Sequence, residues 1–209
     1  MALIRKTHTT PSDGHNRRLP RDREGLLRQL EDKAADIRRW AALDLAAFPD
    51  TAEDICARLE QETQTPVREA MFTTLIEIGG NAVVSGLIPL LRSEDAALRN
   101  SAVEALQQLP DAVSPYMATM LEDPDPDYRI FAVNVLANLR HPQTPAWLAQ
   151  VIERDADFNV CASAVDVLAE VGTPEAIPAL NALPERFSDE PFMQFCVQAA
   201  IRRIQGNGG

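Results

Sequence analysis

The chain has 209 residues, of which 45% are hydrophobic and only 5% are aromatic, and its formal net charge is −11. This length can bury a sizeable core, but no apolar run approaches the ~18 residues that a helix needs to cross a bilayer. The acidic balance argues against nucleic acid as a partner, because binding to phosphates depends largely on Lys and Arg.

The first 23 residues differ from the rest of the chain in charge and composition. They carry six basic and two acidic side chains, whereas residues 24–209 carry 14 basic and 29 acidic ones. Few of them are apolar, which is typical of disordered segments. We therefore expect a basic tail over residues 1–23, a folded body over 24–204 and a flexible C-terminus over 205–209. Four roles stay open for the tail: it contacts an anionic partner, lies against its own acidic body, anchors its first residues MALI in an apolar pocket, or is untethered.

The sequence favours a cytoplasmic protein. The first ten residues, MALIRKTHTT, lack the apolar core of ~7–15 residues that a secretory signal contains. The three cysteines, Cys56, Cys161 and Cys196, cannot all pair with one another, and none shows CxxC spacing. This cysteine pattern favours reduced thiols.

Six stretches of the chain repeat one helical pattern at intervals of 30 to 33 residues. Their first apolar residues are Ile37, Val67, Leu98, Tyr128, Val160 and Met193. Apolar residues recur four, eight and eleven positions later in every stretch, which is one stripe of a 3.6-residue helix. A second apolar-periodic segment precedes each of these helices. The sequence therefore predicts six αα-hairpins of about 31 residues each.

The junctions between these segments carry residues that begin and end helices. Prolines suit the first helical turn, where a missing N–H costs nothing, and Asp is a preferred N-cap. Prolines in such positions are Pro66, Pro126 and Pro191. The expected N-caps are Thr65, Asp95, Asp125 and Asp157. We expect Gly79, Gly80 and Gly172 to end helices as C-terminal caps.

The second helix of each hairpin resembles that of HEAT repeats. The pattern D-x-x-[apolar]-R-x-x-A-x-x-x-L appears as DAALRNSAVEAL at residues 95–106 and as DPDYRIFAVNVL at residues 125–136. The short repeat length is most similar to the HEAT-like repeats of phycobilisome lyases, and the resemblance covers residues 24–204. It implies an all-α fold, an α-solenoid of about six αα-hairpins that forms a right-handed superhelix with the second helices on its concave face.

An arginine follows the first stripe residue in four successive hairpins. These arginines are Arg38, Arg68, Arg99 and Arg129, and the fifth and sixth hairpins have Cys161 and Gln194 instead. At this position the aliphatic stem can cover the core seam while the guanidinium reaches the turn of a neighbouring hairpin. We expect Asp95 and Asp125 to accept such bonds, and different polar bonds after Arg129. The alternative is that the arginines bind a ligand.

The outward side of the second helices is the candidate binding surface. We expect a concave strip formed by Glu69, Thr73, Glu77, Asn100, Glu104, Gln107, Ile130, Asn134, Asn138, Asp166 and Glu170. Amides can pair with peptide groups, and carboxylates can select Lys or Arg. This composition favours a protein or peptide segment, preferably basic. The alternative is an ordinary solvated helix face.

The sequence offers no constellation for catalysis or for a metal. The histidines, His8, His15 and His141, have no Cys or His partner at metal-binding spacing, and no nucleophile or phosphate-loop motif occurs. The acidic run EDPDPD at residues 122–127 lacks the glycine and final Glu of a calcium loop, so an interhelical turn is the better interpretation. We therefore predict no catalytic, cofactor-binding or metal-binding residues.

These observations lead to a function hypothesis with two rivals. The first hypothesis is a monomeric, non-enzymatic scaffold or adaptor that binds a protein segment. The resemblance to phycobilisome lyases implies a second one, a chaperone or enzyme that attaches or detaches a bilin prosthetic group. A third, a DNA-repair glycosylase built from HEAT-like repeats, requires a basic surface that the acidic body does not offer.

Overall fold

A computed structural model describes residues 19–206 and shows an all-helical fold, with no strand in that part of the chain. The all-α prediction is therefore confirmed. The expectations for residues 1–18 and 207–209 lie outside the described residues. The chain divides into two compact units, one ending at Ile78 and the other beginning at Gly79. Within residues 19–206, no helix combines the length and apolar character needed to cross a membrane.

The first unit consists of two hairpins. Its α-helices are α1 (Arg23–Leu30), α2 (Ala35–Asp44), α3 (Ala52–Leu59) and α4 (Thr65–Ile78). Two short 3₁₀ turns, Leu45–Ala47 and Pro49–Thr51, connect α2 to α3. The second helices α2 and α4 pack against each other, and the buried Thr74 hydroxyl on α4 donates to the carbonyl oxygen of Ala42 at 2.8 Å.

The second unit consists of four hairpins. Its α-helices are α5 (Gly80–Leu87), α6 (Ala96–Gln107), α7 (Pro110–Val113), α8 (Met117–Leu121), α9 (Pro126–Ala137), α10 (Thr144–Arg154), α11 (Phe158–Val171), α12 (Ile177–Arg186) and α13 (Pro191–Gly206). The second helices α6, α9, α11 and α13 pack in series. Together with the first unit, this arrangement gives the six hairpins that the sequence predicts.

The repeated apolar positions form the core. None of the 24 stripe residues is exposed, and most are buried. All residues four positions after the first stripe residue are buried: Ala41, Met71, Ala102, Ala132, Ala164 and Val197. Four of these six are alanines, whose small side chains let neighbouring helices approach closely. Burial of this stripe is what holds the hairpins together.

Aspartates cap the helices as the sequence predicts, but the N-cap prediction for Thr65 was wrong, because Thr65 is the first residue of α4. A carboxylate oxygen of Asp95 accepts from the backbone N–H groups of Ala97 and Leu98 at the start of α6. Asp125 and Asp157 accept equivalent bonds at the starts of α9 and α11. Because these N–H groups have no partner within the helix, each cap typically stabilises the helix by ~1 kcal/mol.

The glycines that end helices do so in two ways. Gly79 follows α4 and Gly80 begins α5; they adopt φ angles of 63° and 80°, a left-handed region that only glycine enters without strain. Gly172 ends α11 with an ordinary φ of −70°. It must be glycine for lack of space, because a Cβ there would lie 2.3 Å from the carbonyl oxygen of Leu168.

The last residues of the basic tail are attached to the first unit. The Gln29 side chain donates to the carbonyl oxygen of Pro20 at 2.6 Å. Arg21 forms an ion pair with Asp44, and the Arg23 guanidinium lies 2.7 Å from Asp50. Residues 19–23 therefore lie against the acidic body, and α1 begins at Arg23.

The sixth hairpin differs from the others at the position five residues after the first stripe residue. This position is buried in the first five hairpins, where it holds Ala42, Phe72, Val103, Val133 and Val165. In the sixth hairpin it is Gln198, which is exposed on α13. A polar residue at this position is what a terminal, capping repeat requires.

Candidate protein-binding face

The second helices of the second unit carry a polar face outside the core stripe. We call its eight residues the polar strip: Asn100, Glu104, Gln107, Ile130, Asn134, Asn138, Asp166 and Glu170. Gln107, Ile130 and Asn134 are half-buried and the other five are exposed. The strip lies on α6, on α9 with the residue that follows it, and on α11. Its side chains can therefore contact a partner without disturbing the core.

An open groove of about 630 Å³ lies at the C-terminal ends of α6 and α9. It is lined by Glu104, Gln107, Gln108, Pro110, Asn138 and Arg140. The Gln107 side chain spans the two helices, because its Nε2 donates to the carbonyl oxygen of Asn134 at 2.8 Å. Arg140, which the sequence pattern did not indicate, adds one cation to a lining that otherwise consists of amide and carboxylate side chains and Pro110.

One carboxylate of the polar strip already has a cation. Arg203 on α13 lies 2.6 Å from Glu170 on α11, and both side chains are exposed. An exposed pair of this kind contributes little to stability, but it neutralises part of the strip. The charge that the polar strip offers to a basic partner therefore comes mainly from Glu104 and Asp166.

The last helix adds an exposed aromatic pair that the sequence analysis missed. Phe192 is 59% exposed and Phe195 is 68% exposed, and their ring centroids are 6.4 Å apart. Phe195 occupies the same repeat position as Asn100 and Ile130 in the polar strip. The repeat pattern could have predicted Phe195 as a strip residue, because it lies two positions after Met193, the first stripe residue of the sixth hairpin.

The first unit holds the remaining residues of the predicted strip on α4. Glu69, Thr73 and Glu77 are all exposed, and the Thr73 hydroxyl donates to the carbonyl oxygen of Glu69 at 2.8 Å. This bond ties the hydroxyl to its own helix. The two carboxylates are the groups on this face of α4 that can select a cation.

In the first unit, the arginine of the first hairpin binds a carboxylate of the second. Arg38 donates from Nε and Nη2 to the two carboxylate oxygens of Glu62, at 2.7 and 2.9 Å. Arg58 lies 3.3 Å from the same carboxylate, which is only 1% exposed. Burial raises the pKa of Glu62, but hydrogen bonds from Arg38 and the Gln64 N–H and the charges of Arg38 and Arg58 outweigh it and lower the pKa to about 2.

In the second unit, Arg129 and Arg99 differ in their partners. Arg129 binds both carboxylate oxygens of Asp155, at 2.6 and 2.9 Å, from Nε and Nη2. Arg99 donates from Nη1 to the carbonyl oxygen of Ser93 at 2.6 Å and lies over the Phe131 ring. No hydrogen bond or ion pair joins the side chain of Asp125 to that of Arg99 or Arg129 among the described residues. Asp125 instead caps α9 and lies 3.3 Å from Arg92, since its side chain is turned towards the helix start.

All four arginines of the series make the same type of hydrogen bond within their own hairpin. Arg38, Arg99 and Arg129 donate from Nη1, and Arg68 from Nε, to the carbonyl oxygen of the residue six positions earlier. In the fifth hairpin the Cys161 thiol donates to the equivalent oxygen, that of Asp155, at 3.4 Å. Arg186 of the sixth hairpin also donates to this oxygen and to that of Ile152. The polar bonds after Arg129 therefore differ, as the missing arginine predicts.

The thiols of the described residues are poor nucleophiles. Burial raises the pKa of Cys56 to about 12 and that of Cys161 to about 11. Burial also raises the pKa of the half-buried Cys196, with a further contribution from Asp166. Because the thiolate is the reactive form, these environments suppress cysteine chemistry. Within residues 19–206, no cluster of His, Cys, Asp and Glu is arranged to hold a metal ion.

A family model and a curated relative match this chain. The family model, described as HEAT repeats, matches residues 23–107 and 114–190. The relative is the "Uncharacterized phycocyanin operon protein Z" of Pseudanabaena tenuis, which is 25% identical over 193 residues. The match covers 87% of this chain and 95% of the relative.

Solved structures of helical-repeat proteins are also similar. One is the archaeal HEAT-like repeats protein from Thermococcus onnurineus, 15% identical, with 88% of each chain covered and a TM-score of 0.46. Another is the complex of CpcE and CpcF of phycocyanin lyase from Nostoc sp., 18% identical. That match covers 97% of this chain and 100% of the other, with a TM-score of 0.38.

Proposed function

We propose that this chain, which belongs to the HEAT-repeat family, is a non-enzymatic scaffold or adaptor that binds a protein segment along the polar strip. The groove between α6 and α9 is the observation that carries this proposal. It is about 630 Å³ in volume and is lined almost entirely by amide and charged side chains. Such a lining suits the polar main chain of a peptide better than an apolar ligand.

The amides of the strip supply hydrogen bonds to a peptide backbone. Asn100 and Asn138 are exposed, and each side chain offers both a donor and an acceptor. Gln107 is held in place by its bond to the carbonyl oxygen of Asn134. A side chain fixed in advance loses less conformational entropy when a partner binds.

The carboxylates of the strip select the charge of the partner. Glu104 and Asp166 are exposed on α6 and α11, and neither forms an ion pair with another described residue. They are therefore available to a Lys or Arg of the partner. The exposed rings of Phe192 and Phe195 can contact the aliphatic stem or the charge of such a side chain.

A charge-reversal experiment tests this function. The partner is captured from the native source with the full chain, identified and purified, and its dissociation constant is measured by calorimetry. Glu104→Lys with Asp166→Lys should weaken a basic partner at least ~10-fold, which corresponds to 1.4 kcal/mol. Because both residues are exposed, the melting temperature should hardly change.

The matched control is Glu60→Lys with Glu153→Lys. Both residues are exposed, one at the end of α3 and the other on α10, so this pair changes the net charge equally on first helices. Equal weakening by both pairs would show that only bulk charge matters. No weakening by either pair would leave the polar strip as ordinary solvated surface.

The second candidate is a role in handling a bilin prosthetic group. The name of the relative, a phycocyanin operon protein, favours this role. The raised thiol pKa values weigh against a cysteine nucleophile. Mixing a free bilin with the purified chain separates the candidates, because tight or covalent binding changes the absorbance of the pigment. An unchanged spectrum at micromolar concentrations would count against this role.

A further inference from the structure

The arginines of two hairpins bind their neighbours by the same rule. Arg38 binds Glu62, which lies six residues before the arginine position of the next hairpin, Arg68. Arg129 binds Asp155, which lies six residues before Cys161 in the equivalent position. Both contacts use Nε and Nη2 of the guanidinium and both oxygens of the carboxylate. For Arg99, the rule predicts that the acceptor is the residue six positions before Arg129.

The joint between the third and fourth hairpins departs from this rule. Six residues before Arg129 stands Asp123, which is the predicted acceptor of Arg99. Instead, Nη2 of Arg92 lies 2.5 Å from the Asp123 carboxylate, and Nη1 lies 3.3 Å from Asp125. The Nε of Arg99 is buried and has no hydrogen-bond partner. Arg92 thus holds the Asp123 carboxylate, and Arg99, for which the rule predicts the same acceptor, does not.

A bulky ring at this joint explains why Arg99 is diverted. Its guanidinium carbon lies 4.6 Å from the centroid of the Phe131 ring. The equivalent residues of the second and fifth hairpins are Ala70 and Ser163, which leave the arginine plane free to face the carboxylate. Arg92 also lies over a ring, that of Tyr128, at 4.1 Å. The guanidinium groups of Arg92 and Arg99 therefore each lie over an aromatic ring.

We infer that Asp123 exchanges between Arg92 and Arg99, so that the joint between the third and fourth hairpins has two positions. The pairing in the structure leaves a buried N–H of Arg99 without an acceptor, which is unfavourable. The other pairing gives up an ion pair of the half-exposed Arg92, which is weak because solvent screens it. Arg92 keeps Asp125 in either case, so the loss is small. Neither arrangement has a large advantage, which is the condition for a two-position element.

The exchange would change the spacing of α6 and α9. Arg99 lies on α6 and Asp123 precedes α9, and the groove that contains Glu104 and Asn138 lies where these two helices end. A shift at the joint therefore widens or narrows this groove. Only this last consequence rests on the proposed function, because the exchange itself requires no partner.

Double-mutant cycles test the exchange without any partner. The coupling between Arg99→Gln and Asp123→Asn is measured from urea unfolding, once in the parent chain and once with Arg92→Gln. We expect less than ~2-fold coupling in the unfolding equilibrium constant of the parent. With Arg92→Gln the coupling should be at least ~5-fold, about 1 kcal/mol, because Asp123 is then free to bind Arg99. Coupling below ~2-fold in both backgrounds would overturn the inference.

The Arg129–Asp155 pair provides the control cycle. Its coupling should be the same with and without Arg92→Gln, because its acceptor is not shared with Arg92. A second measurement avoids destabilised variants. In side-chain NMR of ¹⁵N-arginine-labelled protein, Arg92→Gln should move the Arg99 Nε–H proton downfield as it gains a carboxylate acceptor. An unchanged Arg99 resonance would also contradict the exchange.

Discussion

Glu62→Gln should lower the free energy of unfolding of the first unit by about 3 kcal/mol at pH 7. The structure lowers the pKa of Glu62 from 4.5 to about 2, and each pKa unit corresponds to ~1.4 kcal/mol. The carboxylate is 1% exposed and accepts two bonds from Arg38 and two from the Thr63 and Gln64 N–H groups. Gln keeps the shape but removes the charge, which leaves Arg38 without its counter-ion.

The effect of this substitution should depend on pH. A group whose pKa is lower in the folded state than in the unfolded state stabilises the folded protein at pH values above its unfolded pKa. This stabilisation is lost as the pH falls through the folded pKa. The difference between parent and Glu62→Gln should therefore be constant from pH 7 to about pH 5. It should then shrink between about pH 4.5 and pH 2.

Urea titrations followed by tryptophan fluorescence measure this difference. Trp40 lies in the first unit and Trp147 in the second, so a Trp147→Phe background lets Trp40 report on the first unit alone. The control is Glu60→Gln, an exposed glutamate that follows α3, which should change stability by less than ~0.5 kcal/mol. If Glu62→Gln changes stability little at pH 7, or by an amount that does not depend on pH, then the charge of Glu62 does not stabilise the first unit.

Three further predictions follow from the second unit and from the thiols. In urea titrations, Arg129→Ala should lower the free energy of unfolding by about 3 kcal/mol, because it leaves the buried Asp155 carboxylate without a counter-ion. Arg99→Ala should lower it by only about 1–2 kcal/mol, because Arg99 makes one hydrogen bond and a ring contact. Equal losses would contradict this order. Deleting residues 184–209 should cause aggregation in size-exclusion chromatography, because α13 covers buried residues of α11 such as Leu168; a monomeric truncation with an unchanged melting temperature would refute the capping role. Ellman's reagent at pH 8 should label Cys196 faster than Cys56 or Cys161, which are more deeply buried, and three equal rates would contradict the raised pKa values.

The fold could be predicted largely because its information is local and repeated. Stripe residues such as Met71, Ala102 and Leu136 recur at fixed spacing, and each recurrence confirms the helical phase of the others. The caps at Asp95 and Asp157 involve only neighbouring N–H groups, so the sequence contains the whole interaction. Periodicity and capping therefore predicted the second helices closely.

The candidate site was harder to predict, because it depends on competition between distant side chains. Nothing local indicates that Arg92 rather than Arg99 holds Asp123, or that Arg203 neutralises Glu170. Such choices depend on which side chains meet across a joint, and the Phe131 ring decides one of them. The spacing of Glu62 and Asp155 ahead of the next arginine position became visible only after both pairs were seen in three dimensions.

Site-specific photo-crosslinking in the native source tests whether the polar strip is the binding surface. A photoreactive amino acid replaces Asn100 or Asn138 in the polar strip, and in separate chains it replaces Glu60 or Glu153 near the ends of first helices; all four residues are exposed. We expect both strip positions to crosslink to the same protein and the two first-helix positions not to crosslink to it. Crosslinks to that protein from the first-helix positions alone, or equally from all four, would contradict the claim that the polar strip is the binding surface.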